Sequence, residues 1–299
     1  MTNDTSTSTY AGTLLHEQPL SRYNSWNIGG VAKQFYKPKD LSDCGHFLAS
    51  LPISERVIFL GLGSNILFPD GTLNATVIST RGALNGLSVV SESNLIRAEA
   101  GVTCAKLARF AAKHGYESAA FFAGIPGTVG GALAMNAGAF GGETWPHVLE
   151  VECMDRSGKI HRYDASQFKV GYRQVQGPDG FFVAAHFRFS PGKPQAAEAA
   201  IKTLLKQRNN AQPIGTWNCG SVFRNPPGDY AARLIEASGL KGHQLGGAQI
   251  SPVHANFIVN VGDATAADVL ALMQLIQNAV MMQFQVALVP EVQIIDAEE

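Results

Sequence analysis

The sequence has few of the features that would place a protein in a class at once. Of its 299 residues only four are cysteines, Cys44, Cys104, Cys153 and Cys219, and none is close enough to another for a metal knuckle or a disulfide framework. Charged residues make up 16% of the chain and the formal net charge is −1, which favours neither a nucleic-acid partner nor a membrane surface. We therefore expect free thiols in a reducing cytoplasm and no bound metal.

The N-terminus also lacks the marks of an export signal. Residues 1–9 are polar, with neither a basic segment nor an apolar one. We predict a flexible tail over residues 1–20, a cytoplasmic protein and no stable membrane insertion. The length exceeds that of one average domain, and the hydrophobic fraction of 45% is ordinary, so we predict a compact chain with more than one lobe.

The pattern of apolar residues predicts a mixed α and β structure. Short runs rich in β-branched residues at 57–60 and 75–79 predict strands. Thr103 has the position of a helix N-cap, and Gly115 is placed to end that helix. Elsewhere along the chain no internal repeat is visible.

A second helix and a boundary are predicted in the C-terminal third. Thr265 and Asp268 have the spacing of a capping box, and apolar residues continue at helical spacing to Phe284. Turn residues cluster at 190–194, and we predict the boundary between domains there.

The segment from Phe121 to Phe140 is uncharged and long enough to span a membrane, but glycines and Pro126 interrupt it. Its spacing leaves two interpretations open. The small residues could allow tight packing in a buried turn, or the bare backbone could approach a large flat ligand. Asn136 within this segment needs hydrogen-bond partners if it is buried.

A second glycine motif follows the strand at 57–60. The sequence Gly61-Leu62-Gly63-Ser64-Asn65 is not a dinucleotide fingerprint, because Ile66 stands where the third glycine belongs. It is not a P-loop either, since the Gly-Lys-Ser/Thr ending is missing. Taken alone, the motif is either a phosphate-binding turn or an ordinary turn at the end of a strand.

Five motifs together resemble one family. They lie, in the family's order, at residues 24–30, 60–65, 123–131, 136–139 and 219–226. On these segments the chain resembles the UDP-N-acetylenolpyruvoylglucosamine reductases, and within them the type II members. The family uses NADPH to reduce a bound FAD and then reduces UDP-N-acetylglucosamine enolpyruvate to UDP-N-acetylmuramate for bacterial peptidoglycan.

The resemblance implies an α+β fold. An FAD-binding domain of the p-cresol-methylhydroxylase and vanillyl-alcohol-oxidase type is expected over residues 21–192, with lobes at about 21–82 and 83–192. A C-terminal α+β substrate-binding domain is expected over residues 193–299, closing over the flavin. A small UDP-sugar is the expected partner, and a monomer is expected with a dimer left open.

The resemblance also implies the site residues. Hydride passes from flavin N5 to the vinyl carbon, Ser221 gives the proton, and Arg173 and Glu291 polarise the substrate carboxylate and stabilise the enolic intermediate. The other implied residues bind FAD (Gly61, Leu62, Gly63, Ser64, Asn65, Gly124, Ile125, Pro126, Gly127, Thr128, Gly130, Gly131, Asn136, Gly138 and Ala139) or substrate (Tyr172, Arg224, Asn225 and Gln249).

Two departures and several alternatives accompany these expectations. Val175 stands where the family usually has Ser. The family often has a basic residue close to a Gln-Pro pair, but here Asn209-Asn210-Ala211 precedes Gln212-Pro213, so Lys206 or Arg208 could take over the diphosphate. Ser221 alone would be an ordinary turn serine and Arg173 alone a surface ion pair. Rival functions are another flavin oxidoreductase of the same fold, and an FAD- or nucleotide-binding module without activity.

Overall fold

The computed structural model describes residues 10–90 and 94–297. The first lobe is a four-stranded sheet of order β1-β2-β5-β3 with one helix beside it. Strands β3 and β5 confirm the two predicted strands. The elements are β1 (Thr13–Pro19), β2 (Val31–Lys37), α1 (Leu41–Ser50), β3 (Val57–Leu60), β4 (Ile66–Leu67) and β5 (Thr72–Ser79).

The second lobe is a five-stranded antiparallel sheet of order β11-β10-β14-β7-β6, with helices packed on one face. Thr103 caps α2 by accepting from the Lys106 N–H, and Gly115 follows the helix at φ +76, as predicted. The elements are β6 (Leu87–Val90), β7 (Leu95–Glu99), α2 (Cys104–Lys113), α3 (Val129–Ala134), β8 (Gly138–Ala139), β9 (Gly142–Glu143), β10 (Val148–Met154), β11 (Ile160–Asp164), β12 (Lys169–Gly171), β13 (Gln174–Gln176), β14 (Phe181–Phe187) and α4 (Pro194–Ala211).

The C-terminal region has a four-stranded antiparallel sheet of order β15-β18-β17-β16, covered by α6. Thr265 and Asp268 form the predicted capping box at the start of α6, and Val269, Met273 and Ile276 are buried as its apolar spacing predicted. The elements are β15 (Trp217–Asn218), α5 (Ala231–Ala237), β16 (Gln244–Leu245), β17 (Ala248–Ile250), β18 (Ile258–Asn260), α6 (Ala266–Phe284) and β19 (Gln293–Ile294).

The mixture of helices and strands in these three regions confirms the α+β fold. Strand β1 occupies residues 13–19, so this part of the predicted tail is folded into the first sheet. The predicted flexible segment 1–9 lies outside the described residues. The division at residue 193 stays a prediction, although α4 packs on α2 and its Ala197 and Ile201 lie in the core of the second lobe. That packing favours a division after α4.

The C-terminal region is tied to the first lobe through several buried contacts. Trp26, between β1 and β2, is fully buried in the C-terminal core and donates its Nε1–H to the Ile258 carbonyl at 2.7 Å. Asp70 accepts from the first two N–H groups of α6 at 2.6 and 3.0 Å. Strand β19 pairs in parallel with β4. Among the described residues, no helix is both long and apolar enough for a bilayer crossing.

Candidate active site

A cavity of about 560 Å³ lies where the three regions meet. Its walls come from the turn after β3, from the glycine-rich segment around α3, from the tip of the β12–β13 hairpin and from the C-terminal region. The lining residues are 59–66, 124–128, 131, 132, 134, 135, 137–140, 173, 208, 212, 219–221, 257, 291 and 293.

The turn after β3 presents bare backbone to this cavity. The N–H groups of Leu62 to Asn65 donate to no acceptor within residues 10–90 and 94–297. Gly63 has φ +63, and a Cβ there would lie 2.2 Å from the Tyr23 carbonyl oxygen. A Cβ on Gly61 would lie 2.3 Å from Thr128 Oγ1. Successive free N–H groups in a turn that excludes side chains form a concave site for an anion.

The segment from Phe121 to Phe140 is divided between the core of the second lobe and the wall of the cavity. Phe122 is fully buried in the second-lobe core, whereas Gly131 faces the cavity, and a Cβ there would meet nothing nearer than Thr128 Oγ1 at 3.8 Å. A Cβ on Gly130 would instead come within 2.9 Å of the Ala100 methyl group. Of these two adjacent glycines, Gly130 thus serves packing and Gly131 faces the cavity.

Thr128 is the polar group that the protein leaves unpaired in this wall. The residue is 1% exposed, and its Oγ1 has no hydrogen-bond partner among the described residues. A buried hydroxyl without a partner costs free energy. A ligand that accepts or donates at this point would remove the cost.

Arg173 lies at the tip of the β12–β13 hairpin and points into the cavity. Its backbone is left-handed, with φ +55, which is uncommon for a residue other than glycine. Its Nε donates to Glu291 Oε1 at 2.7 Å, and its Nη1 donates to the Asn136 carbonyl at 3.3 Å. Burial raises the pKa of the Glu291 carboxyl above its ordinary value, and the charge of Arg173 opposes that rise.

Ser221 lies on the same wall as Glu291. It follows Gly220, which is left-handed at φ +75, and both residues line the cavity. The Glu291 N–H donates to the Val222 carbonyl at 2.7 Å, which fixes the two segments together. Within the described part of the chain the Ser221 hydroxyl has no protein partner. The structure therefore brings Arg173, Ser221 and Glu291 to one cavity.

Six of the predicted site residues do not line this cavity: Gly130, Asn136, Tyr172, Arg224, Asn225 and Gln249. Tyr172 is 45% exposed beside Arg173, whose Cζ lies 5.0 Å from its ring centroid. Asn225 Oδ1 accepts from the Ala231 N–H at the start of α5, and Gln249 Nε2 donates to the Gly242 carbonyl.

Arg224 lies close to the site without entering it. Its charge lowers the pKa of Glu291, against the larger effect of burial. Its Nε is buried and has no partner among the described residues. Arg224 is thus a second cation near the Glu291 carboxylate, and its Nε–H is available to donate a hydrogen bond.

Other lining residues were left open or missed by the sequence. Of the two basic residues considered for the diphosphate, Lys206 is exposed and off the cavity, whereas Arg208 lines it and donates from Nε to Gln212 Oε1 at 2.9 Å. Burial lowers the pKa of Arg208. Phe257 also lines the cavity, and it ends the segment 254–257, which resembles the His-Ala-x-Phe segment of the family. Val175, the departure from the family pattern, packs against the second-lobe core.

Within residues 10–90 and 94–297, no group of three His, Cys, Asp or Glu side chains is arranged to hold an ion. The four cysteines are free and buried, and burial raises the pKa of Cys219 beside the cavity to about 12, so its thiol stays protonated.

Family models place the chain in a class and then in a family. An FAD binding domain matches residues 35–164, so this is an FAD-binding protein, in keeping with the anion-binding turn and the glycine-lined cavity. The C-terminal domain of UDP-N-acetylenolpyruvoylglucosamine reductase matches residues 212–295. Since proteins of that name are 52% and 54% identical to it over 95% of its length, the chain belongs to the UDP-N-acetylenolpyruvoylglucosamine reductase family.

Relatives agree over nearly the whole chain. Proteins named UDP-N-acetylenolpyruvoylglucosamine reductase from Alkalilimnicola ehrlichii and Coxiella burnetii (strain Dugway 5J108-111) are 54% and 52% identical, and each match covers 95% of this chain and 95% or 96% of the relative. The crystal structure of the reductase of that name from Thermus caldophilus is 28% identical with a TM-score of 0.78, over 95% of this chain and 99% of the other.

Proposed function

We propose that the chain is an NADPH-dependent, FAD-containing reductase that converts UDP-N-acetylglucosamine enolpyruvate to UDP-N-acetylmuramate in peptidoglycan synthesis. The observation that carries the proposal is the meeting of Arg173, Ser221 and Glu291 in one cavity with the anion-binding turn. The family to which the chain belongs supplies the reaction.

The residues of the cavity fit FAD. The free N–H groups of Leu62 to Asn65 suit its pyrophosphate, and the glycine-rich wall around Gly131 suits a flat ring system. The unpaired hydroxyl of Thr128 would supply a hydrogen bond to the bound cofactor. When bound, FAD supplies an acceptor for hydride from NADPH and a donor of hydride to the enolpyruvyl group.

Arg173 is assigned to the carboxylate of the enolpyruvyl group. Two of its three nitrogens are held by Glu291 and by the Asn136 carbonyl, while Nη2 has no partner among the described residues, and the side chain lines the cavity. A guanidinium fixed in this way stabilises the negative charge that the carboxylate gains as the double bond is reduced. Glu291 keeps that guanidinium in place.

Ser221 is assigned as the proton donor. Addition of hydride to the terminal vinyl carbon leaves a pair of electrons on the carbon next to the carboxylate, and that carbon takes the Ser221 proton. The hydroxyl is free of protein partners and faces the cavity. Serine is a weak acid, so it gives up its proton only because the site stabilises the charge on the substrate carboxylate. Water then returns a proton to the Ser221 oxygen.

The two half-reactions test this function. In anaerobic solution NADPH should bleach the flavin, and the enolpyruvyl substrate alone should restore its colour with formation of UDP-N-acetylmuramate. A flavin that NADPH bleaches but this substrate does not reoxidise would indicate another flavin oxidoreductase, and one that NADPH does not bleach would indicate a binding module without activity.

Replacing Ser221 separates the proton donor from the rest of the site. Ser221→Ala should leave reduction by NADPH nearly unchanged and slow reoxidation by the substrate about 10²- to 10⁴-fold. Stopped-flow absorbance of the flavin measures both rates. Equal losses in the two half-reactions would refute the assigned role.

Two neighbouring glycines test the cofactor wall. Gly131→Val adds a side chain toward the cavity, so FAD content should fall while the melting temperature of the apoprotein stays near that of the wild type. Gly130→Val is the matched control, because its side chain would meet Ala100 and should lower the melting temperature instead. Full FAD content in Gly131→Val would assign the wall to packing alone.

We also propose that the enzyme acts in the cytoplasm as a monomer that binds the small UDP-sugar and no nucleic acid. Four free, buried thiols suit a reducing compartment, and the net charge of −1 offers no surface for a polyanion. Light scattering during size-exclusion chromatography measures the oligomeric state, and a mass of twice 31.9 kDa would show a dimer instead.

A further inference from the structure

Asn136 is buried beside the cavity but does not line it. The residue is 1% exposed, and its backbone is left-handed with φ +46. Asparagine and glycine adopt this conformation with less strain than other residues. A position so enclosed has no free face toward a cofactor.

Every hydrogen-bonding group of the Asn136 side chain is used within the protein. Its Nδ2 donates to Glu143 Oε2 at 3.0 Å and to the Gly171 carbonyl at 3.2 Å. Its Oδ1 accepts from the Trp145 N–H at 3.1 Å. An amide carries two donors and an acceptor on one short side chain, so it satisfies all three partners where aspartate or serine would not.

Two of its bonds lead to the hairpin that carries Arg173. The side chain holds the Gly171 carbonyl at the end of β12, and the Asn136 carbonyl accepts from Arg173 Nη1 at 3.3 Å. Asn136 therefore holds the hairpin at two points, the Gly171 carbonyl, two positions before Arg173, and the guanidinium of Arg173 itself.

The hairpin has few other anchors. Most residues of β12 and β13 are exposed, and Val170 and Tyr172 are 37% and 45% exposed. Val175 packs on the second-lobe core, and Arg173 pairs with Glu291 across the cavity. A short, exposed hairpin held by so few contacts moves easily unless its polar anchors stay in place.

We propose that Asn136 is a positioning residue for Arg173, which sets the place of the guanidinium against Glu291 and the substrate carboxylate. The proposal rests on the function proposed above, and it gives Asn136 a role in the step that uses the substrate and none in binding FAD. Displacement of a charged group by about 1 Å costs up to about 100-fold in rate.

The test removes the side chain and keeps the backbone. Asn136→Gly retains the left-handed conformation and the carbonyl that Arg173 uses, but loses the bonds to Gly171, Glu143 and Trp145. We expect reoxidation by the enolpyruvyl substrate to fall about 10- to 100-fold, with FAD content and reduction by NADPH within about 2-fold of the wild type. Asn94→Gly is the matched control, since Asn94 is also left-handed, at φ +51, and is exposed.

A double-mutant comparison shows whether the effect passes through Arg173. In an Arg173→Ala background, adding Asn136→Gly should slow single-turnover reoxidation by less than about 3-fold. Three results would each overturn the role. Asn136→Gly could slow reoxidation equally with and without Arg173, it could slow both half-reactions equally, or it could leave the rate at that of the wild type. If Asn136→Gly fails to hold FAD, Asn136→Asp gives the same comparison, because it keeps the bond from Trp145 and loses the donors.

Two controls separate this inference from the proposed function. If wild-type protein, reduced by NADPH, is not reoxidised by the enolpyruvyl substrate, the proposed function fails. If the wild type and Asn94→Gly are reoxidised at equal rates and Asn136→Gly matches them, the function stands and the positioning role is rejected.

Discussion

The C-terminal region meets the first and second lobes in two different ways. Its joint with the first lobe consists of the buried Trp26 side chain, the Asp70 carboxylate on α6 and the paired strands β4 and β19. Its second joint, on the other side of the cavity, is the ion pair of Glu291 with Arg173 at the tip of the β12–β13 hairpin of the second lobe.

The difference indicates a division of tasks between stability and chemistry. An apolar, fully buried contact contributes several kcal/mol to stability and leaves little freedom of movement. An ion pair at a cavity contributes little net stability but presents charge to a ligand. We therefore expect changes in the first joint to alter folding, and changes in the second joint to alter the reaction.

The largest expected effect is the loss of Trp26. Trp26→Ala should lower the free energy of unfolding by about 3–5 kcal/mol, because a filled core position becomes a cavity and the Ile258 carbonyl loses its donor. Urea unfolding measures the change. Trp217→Ala, at a side chain that is 51% exposed, is the control and should cost less than about 1 kcal/mol. Equal costs for the two tryptophans would remove the distinction between the joints.

Arg173→Met should have the opposite profile. Reoxidation by the enolpyruvyl substrate should slow about 10²- to 10³-fold, equivalent to about 2.7–4 kcal/mol of transition-state stabilisation. The free energy of unfolding should fall by less than in Trp26→Ala, since Glu291 can take up a proton when its partner is gone. Stopped-flow kinetics and urea unfolding on one preparation give both quantities. A loss of stability without a loss of rate would reverse the assignment.

Local features of the fold could be predicted from the sequence. The caps at Thr103 and Thr265 need residues only three positions away, and both are formed. The glycines after β3 were ambiguous because a turn and an anion site use the same residues. Their place on the cavity came from neighbours distant in sequence.

Contacts between residues distant in sequence could not be predicted, because the local sequence does not show which segments meet. Trp26 and Ile258 are 232 positions apart, and nothing near Trp26 shows which region buries it. Asn136 was predicted to need polar partners, but Gly171 lies 35 residues further along. Resemblance named Asn136 as a cofactor residue because it stands in a motif, whereas its hydrogen bonds depend on where the hairpin folds back.

Asp70→Ala tests a smaller part of the first joint. Losing the carboxylate that accepts from the Ala266 and Ala267 N–H groups should cost about 1 kcal/mol and speed hydrogen exchange in the first turn of α6. Asp263→Asn removes a negative charge near the same helix end, and asparagine tolerates the left-handed backbone of this position, at φ +52. Its cost should stay below about 0.5 kcal/mol. If both variants lose the same stability, the contribution of Asp70 is a general effect of its charge and does not come from its two hydrogen bonds.

The smallest effect concerns the ionisation of Glu291. Burial raises the pKa of its carboxyl above the ordinary 4.5, despite Arg173. The folded state thus holds a proton that the unfolded state releases, so stability should fall as pH rises from 4.5 through the raised pKa. Glu291→Gln removes this loss, so the variant should gain stability relative to the wild type as pH rises from 4.5 through the raised pKa.

Urea unfolding at both ends of that range measures the gain, with Glu236→Gln, an exposed carboxyl 58% accessible at its side chain, as the control. If Glu291→Gln loses stability relative to the wild type as pH rises, the attraction of Arg173 outweighs burial. The second joint would then hold the regions together as well as serve the reaction, and the contrast between the joints would be one of degree.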